Sequence, residues 1–137
     1  MPADAHALAR SVARLSRRLR QERRSDLTPT QLSVLHSIAV LGSATPREVA
    51  ARERVSPPSL TRTLATLVER GCVDRRPHPE DGRQQLLSLS ATGAAALVAE
   101  RERRDAWLHQ RLQDLTDAER ATLRDAAALL ERLADAE

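Results

Sequence analysis

The chain has almost no aromatic residues: it contains one Trp and neither Phe nor Tyr. With a hydrophobic fraction of 41%, its core must be built mainly from Leu, Val and Ala. A single cysteine excludes an intrachain disulfide, which is typical of a reducing compartment. No apolar run approaches the roughly 18 residues that cross a bilayer, and the first residues lack the apolar core of a signal peptide. The sequence therefore predicts a cytoplasmic protein that is neither secreted nor inserted in a membrane.

Lysine is absent too, so all 22 basic residues are arginines. Arginine forks onto phosphate oxygens and guanine edges, where lysine offers only a point charge. The net charge is only +3 over 137 residues, and the total charge by itself says little about a nucleic-acid partner. The positions of the arginines are more informative, because they cluster in the first predicted helix and around residues 75–83.

Motifs for catalysis and for metal binding are also missing. The sequence has no glycine-rich phosphate loop and no pattern typical of Ser-His-Asp chemistry. His6, His36, His78, His109 and Cys72 are scattered, with none of the spacings typical of metal ligands. We therefore expect no catalytic residues, no metal and no other cofactor, and the protein is predicted not to be an enzyme.

Residues 45–89 carry the strongest positive signal. Thr45-Pro46-Arg47-Glu48 is typical of a helix start, because the threonine caps, the proline suits the first turn and the glutamate closes a capping box. The same signal marks Thr28 and Thr116, and Ser56 is expected to cap a helix that begins at Pro57. Two short strands, 72–76 and 84–89, follow that helix. This order predicts a winged helix-turn-helix, a fold that fits one helix into the DNA major groove.

The helix from Pro57 to Arg70 is the predicted recognition helix, with leucines on one face and polar residues on the other. Arg62 on the polar face is either a solvated surface residue or a DNA contact, and an arginine fork onto guanine is the commonest base-specific contact. The hydroxyl residues are better suited to phosphate than to bases. The candidate major-groove residues are Ser56, Pro57, Ser59, Thr61, Arg62, Thr63 and Thr66.

The loop between the two strands combines proline, aspartate and glycine with arginine. Arg83 at its tip is expected to reach a narrow minor groove, and the alternative is an ordinary charged turn. Arg75 and Arg76 are expected near phosphates, unless one of them pairs with Asp74 or Glu80. The candidate wing residues are Arg75, Arg76, Asp81, Arg83 and Gln84.

Helices are also predicted at both ends of the chain: Asp4–Arg23, a long helix that reaches about Gln113, and a last helix that follows Thr116. Each has a narrow apolar stripe that requires a partner helix. Residues 100–105 of the long helix show no apolar face and are expected to stand in solvent. The candidate dimer-interface residues are Leu8, Val12, Leu15, Leu19, Trp107, Leu108, Leu112, Leu123, Leu130 and Leu133.

The predicted fold is therefore mainly α with a small β-hairpin wing. Residues 27–92 are assigned to a winged helix-turn-helix DNA-binding domain. Residues 1–26 and 93–137 are assigned to a helical dimerisation module. Within the second helix, Leu32, Leu35, Ile38 and Ala39 are predicted to face the core.

In order and spacing, these segments resemble the MarR family of bacterial transcriptional regulators over essentially the whole chain. The residues that carry the resemblance are 27–35, 56–62, 67–75, 81–83 and 87–93. The resemblance implies a homodimer on a pseudo-palindromic operator of double-stranded DNA. The regulator is expected to be a repressor, with an activator as the alternative. It also implies that the arginine matching Arg83 enters the minor groove and that the acid matching Asp81 orients it. Many members of the family are released from DNA by small lipophilic or phenolic effectors, and others respond to cysteine oxidation.

Three alternatives stay open on the sequence alone. His36 is either a contact in an effector pocket or a packed helix residue. Because the chain has no Phe or Tyr, a pocket for aromatic ligands would have to be built from aliphatic side chains and arginine. Cys72 is either a buried structural residue, which its place at a strand start favours, or a redox sensor. The whole chain is either a sequence-specific regulator or a winged-helix module for protein contacts or for DNA architecture with weak sequence preference.

Overall fold

A computed structural model describes residues 2–22 and 25–136, which form six helices and one two-stranded antiparallel sheet. In chain order the elements are α1 (Pro2–Gln21), α2 (Pro29–Leu41), α3 (Pro46–Glu53), α4 (Pro57–Glu69), β1 (Val73–Pro77), β2 (Gln85–Leu89), α5 (Ala91–Gln113) and α6 (Asp117–Ala134). The prediction of a mainly α chain with a small hairpin is confirmed. Arg23, the predicted end of the first helix, lies outside the described residues. None of the described helices combines the length and the apolar content of a membrane span.

Capping boxes set the starts of three helices. The hydroxyl oxygens of Thr28, Thr45 and Thr116 each accept a hydrogen bond from the backbone N–H three residues later. The side chain of that later residue accepts a hydrogen bond from the backbone N–H of the threonine. These three predicted caps are confirmed. At the last of them, the backbone N–H and then the hydroxyl of Thr116 hold the pKa of Glu119 below its ordinary value.

The predicted hydrogen bond from the helix to the Ser56 side chain does not form, although α4 begins at Pro57 as expected. Ser56 occupies the capping position, but its side chain makes no cap hydrogen bond. The second residue of the helix is Pro58, which has no N–H, so only the Ser59 amide remains within reach as a donor.

The core of the winged domain is aliphatic and has α2 at its centre. Leu35, Ile38, Val49, Leu67 and Leu87 are the largest fully buried side chains. The core also contains Leu27, Leu32, Val34, Ala44, Ala50, Leu60, Leu64, Cys72 and Val73. As the composition predicts, no aromatic side chain contributes to it.

Two residues on α2 were assigned to the wrong side of the helix. Ala39 is exposed, whereas Val34, which the predicted apolar face left out, is buried. Because α2 is apolar nearly all round, its periodicity does not distinguish the face that packs from the face that does not. Burial there depends on α3, α4 and the hairpin, which surround the helix in three dimensions.

The hairpin is anchored to the rest of the winged domain through Leu87. Val73 pairs with Leu89 and Pro77 with Gln85, and both strands begin one residue later than predicted. Leu87 is fully buried, its N–H donates to the Ala44 carbonyl at 2.7 Å, and its carbonyl accepts from the Ala44 N–H at 3.0 Å. The residue just before the Thr45 cap is therefore tied to the wing, which links the helix-turn-helix to the hairpin.

The start of α5 is seated directly on the start of β1. The Ser90 hydroxyl accepts from the Gly93 N–H at 3.1 Å and donates to the Gly71 carbonyl, and the Ser90 N–H donates to the Cys72 carbonyl at 3.1 Å. A Cβ on Gly93 would overlap the carbonyl oxygen of Cys72. The glycine therefore permits an approach that any larger residue would prevent.

The prediction that residues 100–105 stand in solvent is wrong at three positions. Glu100 is buried, with 7% of its surface exposed, and Arg103 and Arg104 are half-buried. Long charged side chains can pack their aliphatic stems while their charged ends find partners. The lack of an apolar face in residues 100–105 therefore did not mean that all of their side chains are exposed to solvent.

The described residues divide into two compact units, with breaks after residue 22 and after residue 102. The sequence placed these divisions after residues 26 and 92. One unit contains α2, α3, α4, the hairpin and the first part of α5, and the other contains α1, the rest of α5 and α6. In the latter, Arg120 of α6 donates to the carbonyls of Leu112 at 3.0 Å and Leu115 at 2.6 Å, and so caps the end of α5.

Candidate nucleic-acid interface

The predicted recognition helix, α4, packs on the core with one face and is exposed on the other. Leu60, Leu64 and Leu67 are buried in the aliphatic core. On the opposite side, Ser59, Thr61 and Arg62 are exposed, and Thr63 and Thr66 are half-buried. Ser56 and Pro57 at its start are exposed as well. All seven predicted major-groove residues therefore retain some surface.

The three threonines of α4 direct their hydroxyl hydrogens back onto the helix. Thr61 donates to the Pro57 carbonyl at 2.9 Å, and Thr63 and Thr66 make the equivalent four-residue bonds at 3.3 Å each. In this arrangement each hydroxyl oxygen offers only acceptor lone pairs. Phosphate oxygens are acceptors too, so the threonines are better suited to base amino groups, and their methyl groups to thymine, than to the phosphates expected from the sequence.

The guanidinium of Arg62 has no hydrogen-bond or ionic partner among residues 2–22 and 25–136. Because its own backbone is fixed in a helix with a buried face, the side chain projects from a rigid support. A bidentate contact with guanine or phosphate uses two N–H donors, and all five donors of this supported guanidinium are unused.

Backbone hydrogen bonds shape the wing loop. The N–H of His78 donates to the Gln84 carbonyl, and the N–H of Gln84 donates to the Asp81 carbonyl, both at 3.0 Å. Asp81 also accepts from the backbone N–H of Arg83 at 3.1 Å. Asp81 therefore orders the loop through the backbone of Arg83, and the structure shows no bond from its carboxylate to the Arg83 guanidinium within the described part of the chain.

The arginines of the wing differ in their side-chain hydrogen-bond partners. Arg83 and Arg75 are exposed, and neither has a side-chain partner in the part of the chain that is described. Arg76 donates to the hydroxyl of Ser43 at 3.3 Å. This contact was missed because 33 positions separate the two residues and no local pattern connects them. The suggested ion pairs with Asp74 or Glu80 do not form among the described residues. Gln84 is exposed beside them.

The other unit presents the predicted interface residues. Exposed members are Leu8, Val12, Leu15, Leu123, Leu130 and Leu133. Half-buried members are Leu19, Trp107, Leu108 and Leu112. Arg18 and Arg111 lie over the ring of Trp107, each 5.3 Å from its centroid, while the indole Nε1 is buried without a hydrogen-bond partner in the described residues.

The two remaining candidates are placed differently. His36 is exposed on α2. Cys72 is buried at 4% exposure, and its Sγ lies 4.0 Å from the Arg70 carbonyl. This burial favours the structural reading of Cys72. The described residues contain no group of three or more His, Cys, Asp or Glu side chains that could hold a metal ion.

The order of elements, the seated α4 and the ordered wing define a winged helix-turn-helix protein. Comparison with known proteins agrees. A family model described as MarR family matches residues 25–84. An HTH-type transcriptional regulator of Mycobacterium tuberculosis is 48% identical over 129 residues, which cover 93% of this chain and 90% of that protein.

Two further relatives carry the MarR name. The multiple antibiotic resistance protein MarR of Salmonella typhimurium is 40% identical over 99 residues, 72% of this chain and 69% of that protein. A crystal structure of a cysteine-to-serine mutant of Escherichia coli MarR in complex with operator DNA is 32% identical, with a TM-score of 0.65 over 95% of each chain. The chain belongs to the MarR family of transcriptional regulators, and it is not an enzyme.

Proposed function

We propose that this protein is a sequence-specific transcriptional repressor that binds a pseudo-palindromic operator as a homodimer in the cytoplasm. The observation that carries the proposal is the pair of unpartnered, exposed arginines, Arg62 on α4 and Arg83 on the wing, in one compact unit. The operator complex of the related Escherichia coli protein supports it. A repressor of this kind acts by occupying its operator.

The two arginines would contact different grooves of the DNA. Arg62 would read a base edge in the major groove, with the acceptor oxygens of the threonines beside it. Arg83 would enter the minor groove, where a narrow A/T-rich segment concentrates negative potential. Arg75 and Arg76 would neutralise phosphates and fix the register without contributing sequence information.

The exposed apolar stripes on α1 and α6 support the homodimer. Leu133 is 62% exposed and Leu8 is 46% exposed, and both line an open groove of about 960 Å³ with Val12 and Leu130. Contiguous apolar surface of this kind marks an interaction site in a regulator that must remain in solution. A second copy of the chain would bury these stripes, and its two-fold symmetry would match an operator made of two inverted half-sites.

The proposal also includes release by a small effector. Members of a helix-turn-helix family that respond to ligands must couple a pocket to the spacing or orientation of the DNA-binding helices. His36 stays a candidate for such a contact only because it lies exposed on α2, and a small lipophilic or phenolic molecule is the expected class. Oxidation of Cys72 is the less favoured trigger because the thiol is buried.

The decisive experiment is selection of bound duplexes from a random DNA library by the purified protein at near-physiological salt. We expect an inverted repeat whose half-site centres lie about one helical turn apart. Recovery of no motif, together with salt-sensitive binding to every duplex, would instead indicate an architectural winged-helix module.

Replacing Arg62 by alanine is expected to reduce discrimination against mutated operators by about 1–3 kcal/mol while leaving binding to unrelated DNA nearly intact. The reason is that a base contact is lost and the phosphate contacts remain. The measurement is fluorescence anisotropy on the selected operator and on single-base variants, with Arg124→Ala as control, because Arg124 is an exposed arginine of the other unit. An equal loss on all duplexes would assign Arg62 to phosphate.

A further inference from the structure

A small cavity lies against the start of the predicted recognition helix, beside the core-facing Leu60. Its volume is about 190 Å³, and it is formed where α2, the end of α3 and the start of α4 meet. The lining residues are Thr30, Ser33, Val34, Glu53, Val55, Ser59, Leu60 and Thr63. Thr30, Val55 and Ser59 are exposed and leave a route from solvent.

Glu53 supplies the charge in this cavity, and only half of its carboxylate is satisfied. Oε2 accepts a hydrogen bond from the Ser33 hydroxyl at 3.0 Å, which fixes the side chain across from α3 to α2. Oε1 is buried and has no hydrogen-bond partner within the described residues. A buried carboxylate oxygen that lacks a donor is unfavourable, and a ligand that donates a hydrogen bond would relieve it.

The rest of the lining determines which donor fits. The Thr63 hydroxyl already donates to the Ser59 carbonyl at 3.3 Å, and the Ser33 hydroxyl already donates to Glu53, so both offer acceptor lone pairs. Val34, Val55 and Leu60 form the apolar part of the wall. Among residues 2–22 and 25–136, no basic side chain lines the cavity. The site therefore favours a positively charged donor on an apolar body and repels a carboxylate or phenolate.

We propose that this cavity binds a small organic cation, a primary ammonium on an apolar body about the size of a benzene ring. The ammonium would donate to Glu53 Oε1 and to the neighbouring hydroxyl oxygens. An engineered apolar cavity of about 150 Å³ accommodates benzene, so the volume suffices for a ring of that size. An ordered water on Oε1 is the competing occupant, and it would leave the apolar part of the cavity unused.

The occupant would touch α4 directly, through Ser59, Leu60 and Thr63. If α4 reads DNA, as the proposed function has it, a ligand wedged at its start would shift the helix relative to α2 and weaken operator binding. This second step rests on the proposed function, whereas ligand binding at Glu53 does not. The ligand can weaken operator binding only by the factor by which it binds the DNA-free protein more tightly than the DNA-bound protein.

The binding step is tested by titrating the ¹⁵N-labelled chain with benzylammonium at pH 7, with benzoate at the same ionic strength as the matched anion. We expect amide shifts that saturate and centre on Thr30, Glu53, Ser59 and Thr63 with the cation, and no shifts there with the anion. Glu53→Gln should weaken the cation at least about tenfold, since a charge-assisted bond becomes a neutral one. Glu102→Gln, at an exposed position on α5, should leave the affinity unchanged.

Equal shifts from benzoate, an unaltered affinity in Glu53→Gln, or no shifts at millimolar cation would overturn the proposal and leave a water-filled cavity. Should Glu53→Gln fail to fold by circular dichroism, the contrast between cation and anion in the unmodified chain still decides the question.

The coupling step is tested separately, by operator anisotropy with and without saturating benzylammonium at constant ionic strength. We expect operator affinity to fall about threefold or more in the unmodified chain and not in Glu53→Gln. Cation binding with unchanged operator affinity would remove the regulatory step and leave the DNA-binding function intact. A chain that binds no operator under any condition would refute the proposed function, while the titration would still report on the cavity.

Discussion

Gly93→Ala is expected to lower the stability of the winged domain by about 3 kcal/mol or more, in the upper range for overpacked positions. The new Cβ would meet the Cys72 carbonyl oxygen, with the carbonyl carbon only 3.0 Å away, and both belong to backbone that cannot rotate aside. To relieve the overlap, α5 would have to move off β1, which would break the bond from the Ser90 N–H to the same carbonyl.

The direction of the Gly93→Ala effect makes it informative. Alanine is better than glycine inside a helix by about 1 kcal/mol, so helix propensity alone predicts a gain in stability. The close contact predicts a loss that exceeds this gain, and thermal unfolding followed at 222 nm distinguishes the two by sign.

Gly82→Ala is the matched control for Gly93→Ala. Apart from its two chain neighbours, no described residue has an atom within 4 Å of a Cβ at Gly82, and its φ is not in the left-handed region. Its melting temperature should therefore stay close to that of the unmodified chain. Equal melting temperatures for the two variants would mean that α5 is free to shift on the hairpin.

Local signals predicted the parts of this fold that depend on neighbours in sequence. Thr28, Thr45 and Thr116 each form a capping box with a residue three positions later, so a short segment contains the whole interaction. The hairpin was found for a similar reason, since two short strands flank a loop rich in turn residues. The fourth predicted cap failed: Ser56 occupies the capping position, but its side chain makes no hydrogen bond to the Ser59 N–H that corresponds to the donor of the other three caps.

Interactions between distant residues were not predictable. Gly93 on Cys72, Arg76 on Ser43 and the half-satisfied Glu53 all depend on where helices and strands meet. The exposed face of α4 could be derived because its apolar stripe is narrow, whereas the broadly apolar α2 gave a wrong assignment at Ala39. Sequence periodicity thus located the exposed face of α4 but not the cavity beside the helix.

Leu133→Glu is expected to convert the protein to a monomer and to reduce operator affinity roughly a hundredfold or more, because linked half-sites no longer bind together. Leu133 is 62% exposed in the single chain, so a glutamate there should cost the isolated fold little. In a dimer the same glutamate would be buried against the apolar stripe of the partner without a compensating charge, which is strongly unfavourable. Sedimentation velocity measures the oligomer, and anisotropy on the selected inverted repeat measures the affinity.

Ala128→Glu is the control for Leu133→Glu: it adds the same negative charge to α6, but away from the apolar groove. Ala128 is exposed on the same helix α6, about 140° around its axis from Leu133, and it does not line the apolar groove. It should therefore leave both the dimer and the operator affinity unchanged. Leu8→Glu, on the α1 side of the groove, should reproduce the Leu133→Glu result. If all three variants remained dimeric, the second copy would have to associate through another surface, and the stripes on α1 and α6 would need a different partner.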